Sequence, residues 1–285
     1  MSRQEAFSTS RRGVPRFVIG GYVIAAIYAL AILIPFYFVF ISGFKDNPEI
    51  FGSMPLALPS QLNFDKFALA FERADMLNAM WSSLRLVVGA ELLTLVLSYP
   101  AAYAIARIPI WVARWIELLF AMGLLVPIFA LILPVFLLSV QLNMLYDPTY
   151  LVIFYAASRL SLSIVLLASN MRDIPIELEE AAMIDGANRL RIIYHIILPL
   201  TRSGMVTIII LNFIHFWNEY LFALILLPSD ERTLQLALPL LRSERLIDYG
   251  LVAAGVVITV IPLYILFITF QERIVTGMLS GSVKS

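Results

Sequence analysis

Residues 250–270, GLVAAGVVITVIPLYILFITF, run for 21 residues without a charged side chain. About 20 apolar residues are enough for a helix to cross the hydrocarbon core of a bilayer. In that core only helices and closed barrels satisfy their own backbone polar groups. Five more runs of similar character lie at about 17–42, 80–106, 116–140, 149–170 and 203–227. The expected fold is therefore all-α: a polytopic helical membrane protein with six transmembrane helices in a single domain over 1–285. Pro100, Pro127, Pro134 and Pro262 fall inside these runs. Membrane helices tolerate prolines when neighbours satisfy the freed backbone groups.

Composition excludes several alternatives. The chain is 61% hydrophobic and 14% charged, with a mean hydropathy of +0.89, whereas soluble domains are about half apolar and a quarter charged. A formal net charge of zero lacks the basic footprint of a nucleic-acid binder, so no nucleic acid is expected as a partner. The absence of cysteine removes disulfides, thiolate metal sites and cysteine nucleophiles. His195 and His215 are the only histidines, too few for the usual catalytic zinc site of about three protein ligands, so no metal is expected. The N-terminal STSRRGVPRF has a twin-arginine look. The apolar run after it is far longer than a signal h-region, so a retained first span is expected.

Orientation follows from basic residues, which concentrate on the cytoplasmic side. With both termini inside, Arg3, Arg11, Arg12, Arg16, Arg107, Arg114, Arg172, Arg189, Arg191, Arg202, Arg273 and Lys284 lie in cytoplasmic segments. Only Lys45, Lys66, Arg73, Arg85, Arg232, Arg242 and Arg245 lie opposite. Both termini are therefore expected in the cytoplasm, together with the loop at 171–202.

That loop holds the least membrane-like part of the interior, IPIELEEAAMIDGANRLRIIYHIILPL at 174–200. Pro175 suits a helix start, and Glu177, Glu179 and Glu180 suit the positive end of its dipole. Ala181 and Ala182 give a smooth surface that another protein can approach. Gly186 permits a backbone reversal, Asp185 is available to cap either neighbour, and a second helix is expected over 187–197, before Pro199. The product is a short helix–turn–helix joined to two spans.

The order of these residues, EAAMIDGANRLRIIYHIILP at 180–199, resembles the E-A-A-x-x-D-G-A…I-x-L-P signature of ABC importer membrane subunits, with Ile193 where phenylalanine is usual. PSQLNFDKFALAF (59–71), SSLRLVVGAELLTLVLSYPAAYAIARI (82–108), FWNEYLFALILL (216–227) and QERIVTGMLSGSVKS (271–285) resemble the carbohydrate-uptake, maltose-type branch, in particular its smaller six-span permease. The resemblance implies that Glu180, Ala181, Ala182, Asp185, Gly186, Ala187 and Pro199 belong to a coupling helix and its exit, docking on an ATP-hydrolysing subunit. It implies as partners a second permease, a cytoplasmic ABC ATPase dimer and an extracytoplasmic solute-binding protein, in a bacterial or archaeal cytoplasmic membrane. The chain has no G-x-x-x-x-G-K-[ST] loop, so it lacks that phosphate site. No cofactor is expected on this chain, ATP and magnesium belonging to the partner ATPase, and no catalytic residue is assigned.

Ionisable groups within spans are expensive and tend to face the bundle interior or a water path. Asn212, Trp217, Asn218, Glu219 and Tyr220 are candidates for a sugar path, since aromatic faces stack on sugar rings and amides and carboxylates bond hydroxyls. Arg159 is a candidate for an ion pair with Glu91 or Glu219. Glu117 sits near the cytoplasmic boundary, and His215 precedes Glu219 by four residues, on one helical face. Outside the spans, Phe64, Phe67, Ala68 and Phe71 recur at helical spacing in the long loop 43–79. An ion-coupled secondary transporter is an alternative, but it predicts paired broken repeats and leaves 174–200 without a role. A permease for a glycerol-phosphate-type solute is another. An intramembrane enzyme would need a nucleophile and base at one depth, which the serines and two histidines do not supply.

Overall fold

The structure is a computed structural model that describes residues 16–242 and 247–282, with side chains described for 20–242 and 247–271. Arg3, Arg11, Arg12, Arg245 and Lys284 lie outside the described residues, as do the N-terminal STSRRG and the end of the 271–285 tail. The helices follow in the order α1 (Arg16–Ser42), α2 (Asn47–Ile50), α3 (Asp65–Arg73), α4 (Met76–Arg107), α5 (Ile110–Leu124), α6 (Ile132–Gln141), α7 (Pro148–Arg172), α8 (Glu177–Ile184), α9 (Arg189–Ile192), α10 (Leu198–Leu200), α11 (Arg202–Trp217), α12 (Leu221–Leu226), α13 (Leu234–Ala237) and α14 (Tyr249–Ser282). No strand occurs among the described residues.

Four helices, α1, α4, α7 and α14, are each long and apolar enough to cross a membrane. Two bent pairs reach that length together. The run read at 116–140 divides into α5 and the segment 128–141, which meet at 82°. Pro127 takes an extended conformation there and starts a short 3-10 turn over Ile128–Leu131, so the chain turns a corner where a single kinked span was expected. Similarly, Arg189–Leu200 and α11 meet at 76°, and the run read at 203–227 breaks at Asn218–Tyr220 before α12 begins.

The long helices α4 and α7 pack along most of their length. Small residues allow the approach: Ala90, Ala102, Ala156 and Ala168 are almost fully buried, and Gly89 lies against Val152. Small side chains let membrane helices close on one another where no hydrophobic drive separates protein from lipid. Two clusters of buried apolar residues result. One gathers Leu86, Leu151, Tyr155, Phe216 and Phe222, and the other Tyr99, Leu167, Met171, Ile192 and Ile208. The second cluster is continuous with the 174–200 unit.

At the opposite end of the bundle, the loop before α4 folds back over the start of α14. Lys66 is buried and holds Asp46 at 2.9 Å and Asp248 at 2.8 Å. Asp248 also accepts the amide of Leu251 at 3.0 Å, starting α14. Asn47 bridges the same corner, donating to the Ile247 carbonyl and accepting from the Tyr249 amide. The face of α3 turned inward carries Lys66, Phe67 and Ala70, whereas Phe64 and Ala68 are exposed. Of the apolar spacing 64/67/68/71 only Phe67 lies on the packed face, because a lysine held by two aspartates takes a core position beside it.

Candidate functional site

The polar unit at 174–200 is built by local chemistry. α8 begins at Glu177, two residues after Pro175, with Glu177, Glu179 and Glu180 in its first turn. It ends in a Schellman motif. Gly186 adopts a left-handed φ of 83°, its amide donates to Met183, and the Ala187 amide donates to Ala182 at 2.9 Å. Glycine is favoured there because a Cβ strains that conformation. Ala182 and Ala187, half-buried, pack on the adjoining apolar cluster. Asp185 caps α8, and the next helix is capped by Asn188, whose side chain accepts the Arg191 amide at 2.9 Å. The expected second helix is composite: α9, a π-helical stretch over Ile193–Ile197, and α10. Pro199, which has no amide to donate, stands two residues after the π stretch ends.

Glu180, Ala181, Met183, Ile184 and Asp185 are exposed, Ile184 at 87%. Glu179 points the other way and is 2% exposed. Its carboxylate accepts from Arg107 Nε at 2.6 Å and from the Tyr103 hydroxyl at 2.7 Å, both on α4. Arg107 also donates to the carbonyls of Met171 and Ile174. One buried ion pair thus joins α8 to the ends of α4 and α7. A second link, Tyr99 to Thr201 at 2.9 Å, ties α4 to the exit of the unit, and Arg172 pairs with Glu117 at 2.7 Å to add α5.

Within the apolar bundle, the residues read as a sugar path do not converge. Asn212 is fully buried, accepts from Arg159 Nε at 3.0 Å and donates to Ser163 at 3.1 Å. Trp217 is buried and donates to the Thr259 carbonyl. Asn218 bonds the Ile214 carbonyl and Gln235. Glu219 accepts from Tyr155 at 2.7 Å and from the amides of Phe222 and Ala223, which makes it the residue that starts α12. Tyr220 lines a cavity of about 650 Å³ with Tyr146, Ser229 and Arg232. Arg159 forms no ion pair with Glu219, whose oxygens are occupied, nor with Glu91, whose oxygens make no hydrogen bond among the described residues although Glu91 lies close to Asn212 and Arg159. His215 lies on α11, while Glu219 lies beyond its end.

Residues 94–280 match the family described as "Binding-protein-dependent transport system inner membrane component". The chain belongs to that family. This permease subunit is 30% identical over 94% of its length to the diacetylchitobiose uptake system permease protein NgcG of Streptomyces coelicolor, covering 90% of that protein. It is 29% identical over 92% of its length to the melibiose/raffinose/stachyose import permease protein MelC of Bacillus subtilis, covering 95% of it. In fold it is similar to a chain of a bacterial ABC transporter involved in the import of the acidic polysaccharide alginate, with a TM-score of 0.79 over 94% of this chain and 99% of that one at 24% identity.

Sequence reasoning singled out the exposed side of the permease's polar unit and missed its anchor. Arg107 entered only as an orientation charge and Tyr103 not at all, because their partner lies more than 70 residues away. The available signal was Glu179 itself, an acid directly before Glu180 that had no role beyond the helix dipole.

Proposed function

We propose that this permease is one membrane subunit of an ATP-driven importer for a carbohydrate. The observation that carries the reading is the polar unit: an exposed tip at Glu180–Gly186 on a base locked to α4 and α7 through Glu179 and Arg107. A partner pressing on Met183 and Ile184 moves α8. The short charge-assisted bonds, stronger than neutral ones, pass that movement to α4, while the Tyr99–Thr201 bond carries α4 with the start of α11. Glu180, Ala181, Ala182, Asp185, Gly186, Ala187 and Pro199 act as the coupling surface, its turn and its exit. The Schellman turn fixes the tip relative to the base, so force is not lost in a loose hinge.

In this reading the chain hydrolyses nothing. ATP and magnesium are held by a cytoplasmic ABC ATPase dimer, a second permease completes the path, and a solute-binding protein delivers solute on the opposite face. The chain sits in a bacterial or archaeal cytoplasmic membrane with both termini in the cytoplasm. The carbohydrate class is supported by relatives whose names specify oligosaccharides.

The test is composition. The tagged chain is purified from its native membranes in mild detergent and co-eluting proteins are identified by mass. A second permease and an ATPase in stoichiometric amounts support the reading. A chain that elutes alone, or only with copies of itself, contradicts it.

A further inference from the structure

Arg159 stands eleven residues after Pro148 and thirteen before Arg172 in α7, about 16–20 Å from either helix end at 1.5 Å per residue. It is thus at mid-depth, where a charged side chain is most costly and marks a partner or a polar path. Its Nε is engaged by Asn212, itself held by Ser163, so the guanidinium is fixed in orientation. The two terminal nitrogens make no hydrogen bond among the described residues. Glu91, on the far helix of this cluster, offsets part of the charge from a distance without bonding it.

Arg159 lines a cavity of about 580 Å³. Ser158, Ser161 and His215 supply further polar atoms, and Phe154 an aromatic face. The corner between α5 and α6 closes one side, and Gly123 makes this possible: a Cβ there would come within 2.8 Å of Ser161 Oγ. A volume of this size accommodates a small ligand, such as a sugar unit or two.

We propose that Arg159, with Ser161 and His215, forms a subsite for a carbohydrate bearing an anionic group, the two terminal guanidinium nitrogens receiving a carboxylate or sulfonate in a bidentate fork. The planar fork matches such groups better than an ammonium does, and the hydroxyl and imidazole bond neighbouring sugar hydroxyls. This rests on the importer reading and narrows its solute to acidic sugars.

The experiment uses the complete transporter with its binding protein in ATP-loaded liposomes. These are offered an equimolar pool of maltotriose, cellotriose and raffinose with trigalacturonate, trimannuronate and sulfoquinovose, and the contents are identified by mass. Acidic species are expected to accumulate over neutral ones, and their identity separates carboxylate from sulfonate. Arg159→Gln should reduce that preference by about 10-fold or more, the scale of a bond to a charged group, and Arg159→Lys should retain part of it. Accumulation of neutral sugars alone overturns the proposal, and this needs only the wild-type complex. An unchanged solute profile in Arg159→Gln overturns it too, as does loss of the second permease from that variant, which would assign the arginine to subunit packing. ATP-driven accumulation of nothing, with unstimulated ATPase, counts against the import reading itself and removes the subsite with it.

Discussion

Replacing Glu179 by alanine isolates the anchor of the polar unit. The substitution deletes the acceptor of two hydrogen bonds and leaves Arg107, whose side chain is 15% exposed, without its counter-charge. Removing one partner of a buried pair costs about 3–5 kcal/mol. Arg107 keeps the carbonyls of Met171 and Ile174, so the lower end, about 3 kcal/mol, is expected. At 1.4 kcal/mol per decade, α8 would detach from α4 about 100-fold more often. Hydrogen exchange over 177–192 should accelerate by that factor, while exchange in the interior of α7 stays unchanged. Transport should fall while ATP hydrolysis persists, since the tip still docks but no longer pulls α4. Glu179→Gln, which keeps an acceptor but loses the charge, should lie between. Unchanged exchange over 177–192 in Glu179→Ala would refute the anchoring argument.

Gly186→Pro removes the amide that donates to Met183 and cannot adopt a φ of 83°, because proline locks φ near −65°. The chain should still enter the membrane but lose uptake, measured against its level in membranes, and Glu180→Lys should do the same by reversing charge at the exposed tip. The corner around Lys66 makes a pH prediction. Burial alone would lower the Lys66 pKa, but its bonds to Asp248 and Asp46 hold it above 10.5. Burial would raise that of Asp248, but Lys66 and the Leu251 amide hold it below 3.8. The lysine's contribution is complete below 10.5 and lost as pH rises through its higher folded value. The aspartate's is complete above 3.8 and lost as pH falls through its lower one. Limited proteolysis of loop 43–75 should therefore be slow and flat across neutral pH and accelerate only at those extremes. Glu219→Ala should remove the acceptor that starts α12 and unfold the break at 218–220, costing about 1–2 kcal/mol for the cap, visible as a lower thermal midpoint of the purified complex.

What could be read from the chain was what neighbours in sequence decide. The apolar run 250–270 lies within α14, and Gly186 with its flanking residues specifies its own turn. The signals that failed were long-range. Pro127 marked an interruption, but its 82° corner depends on how α5 packs on α7 and α6 on α12. Lys66 entered only as a charge on the non-cytoplasmic side, and its two aspartates, one of them 182 residues away, bring it into the core. Glu219 read as a path residue because nothing local showed that it would start a new helix and bond Tyr155, 64 residues earlier. Arg159 read as half of an ion pair with Glu91 or Glu219; Glu91 attracts it without a direct bond, while Asn212, 53 residues on, takes its Nε.

The central claim is that this chain is driven by ATP through the unit at 174–200. The measurement that tests it most directly is solute accumulation in liposomes holding the purified transporter, with ATP inside or with an imposed ion gradient and no ATP. Accumulation that requires ATP and disappears in Gly186→Pro is the predicted result. Accumulation by this chain alone, driven by the gradient without ATP and unaffected by Gly186→Pro, would contradict the account.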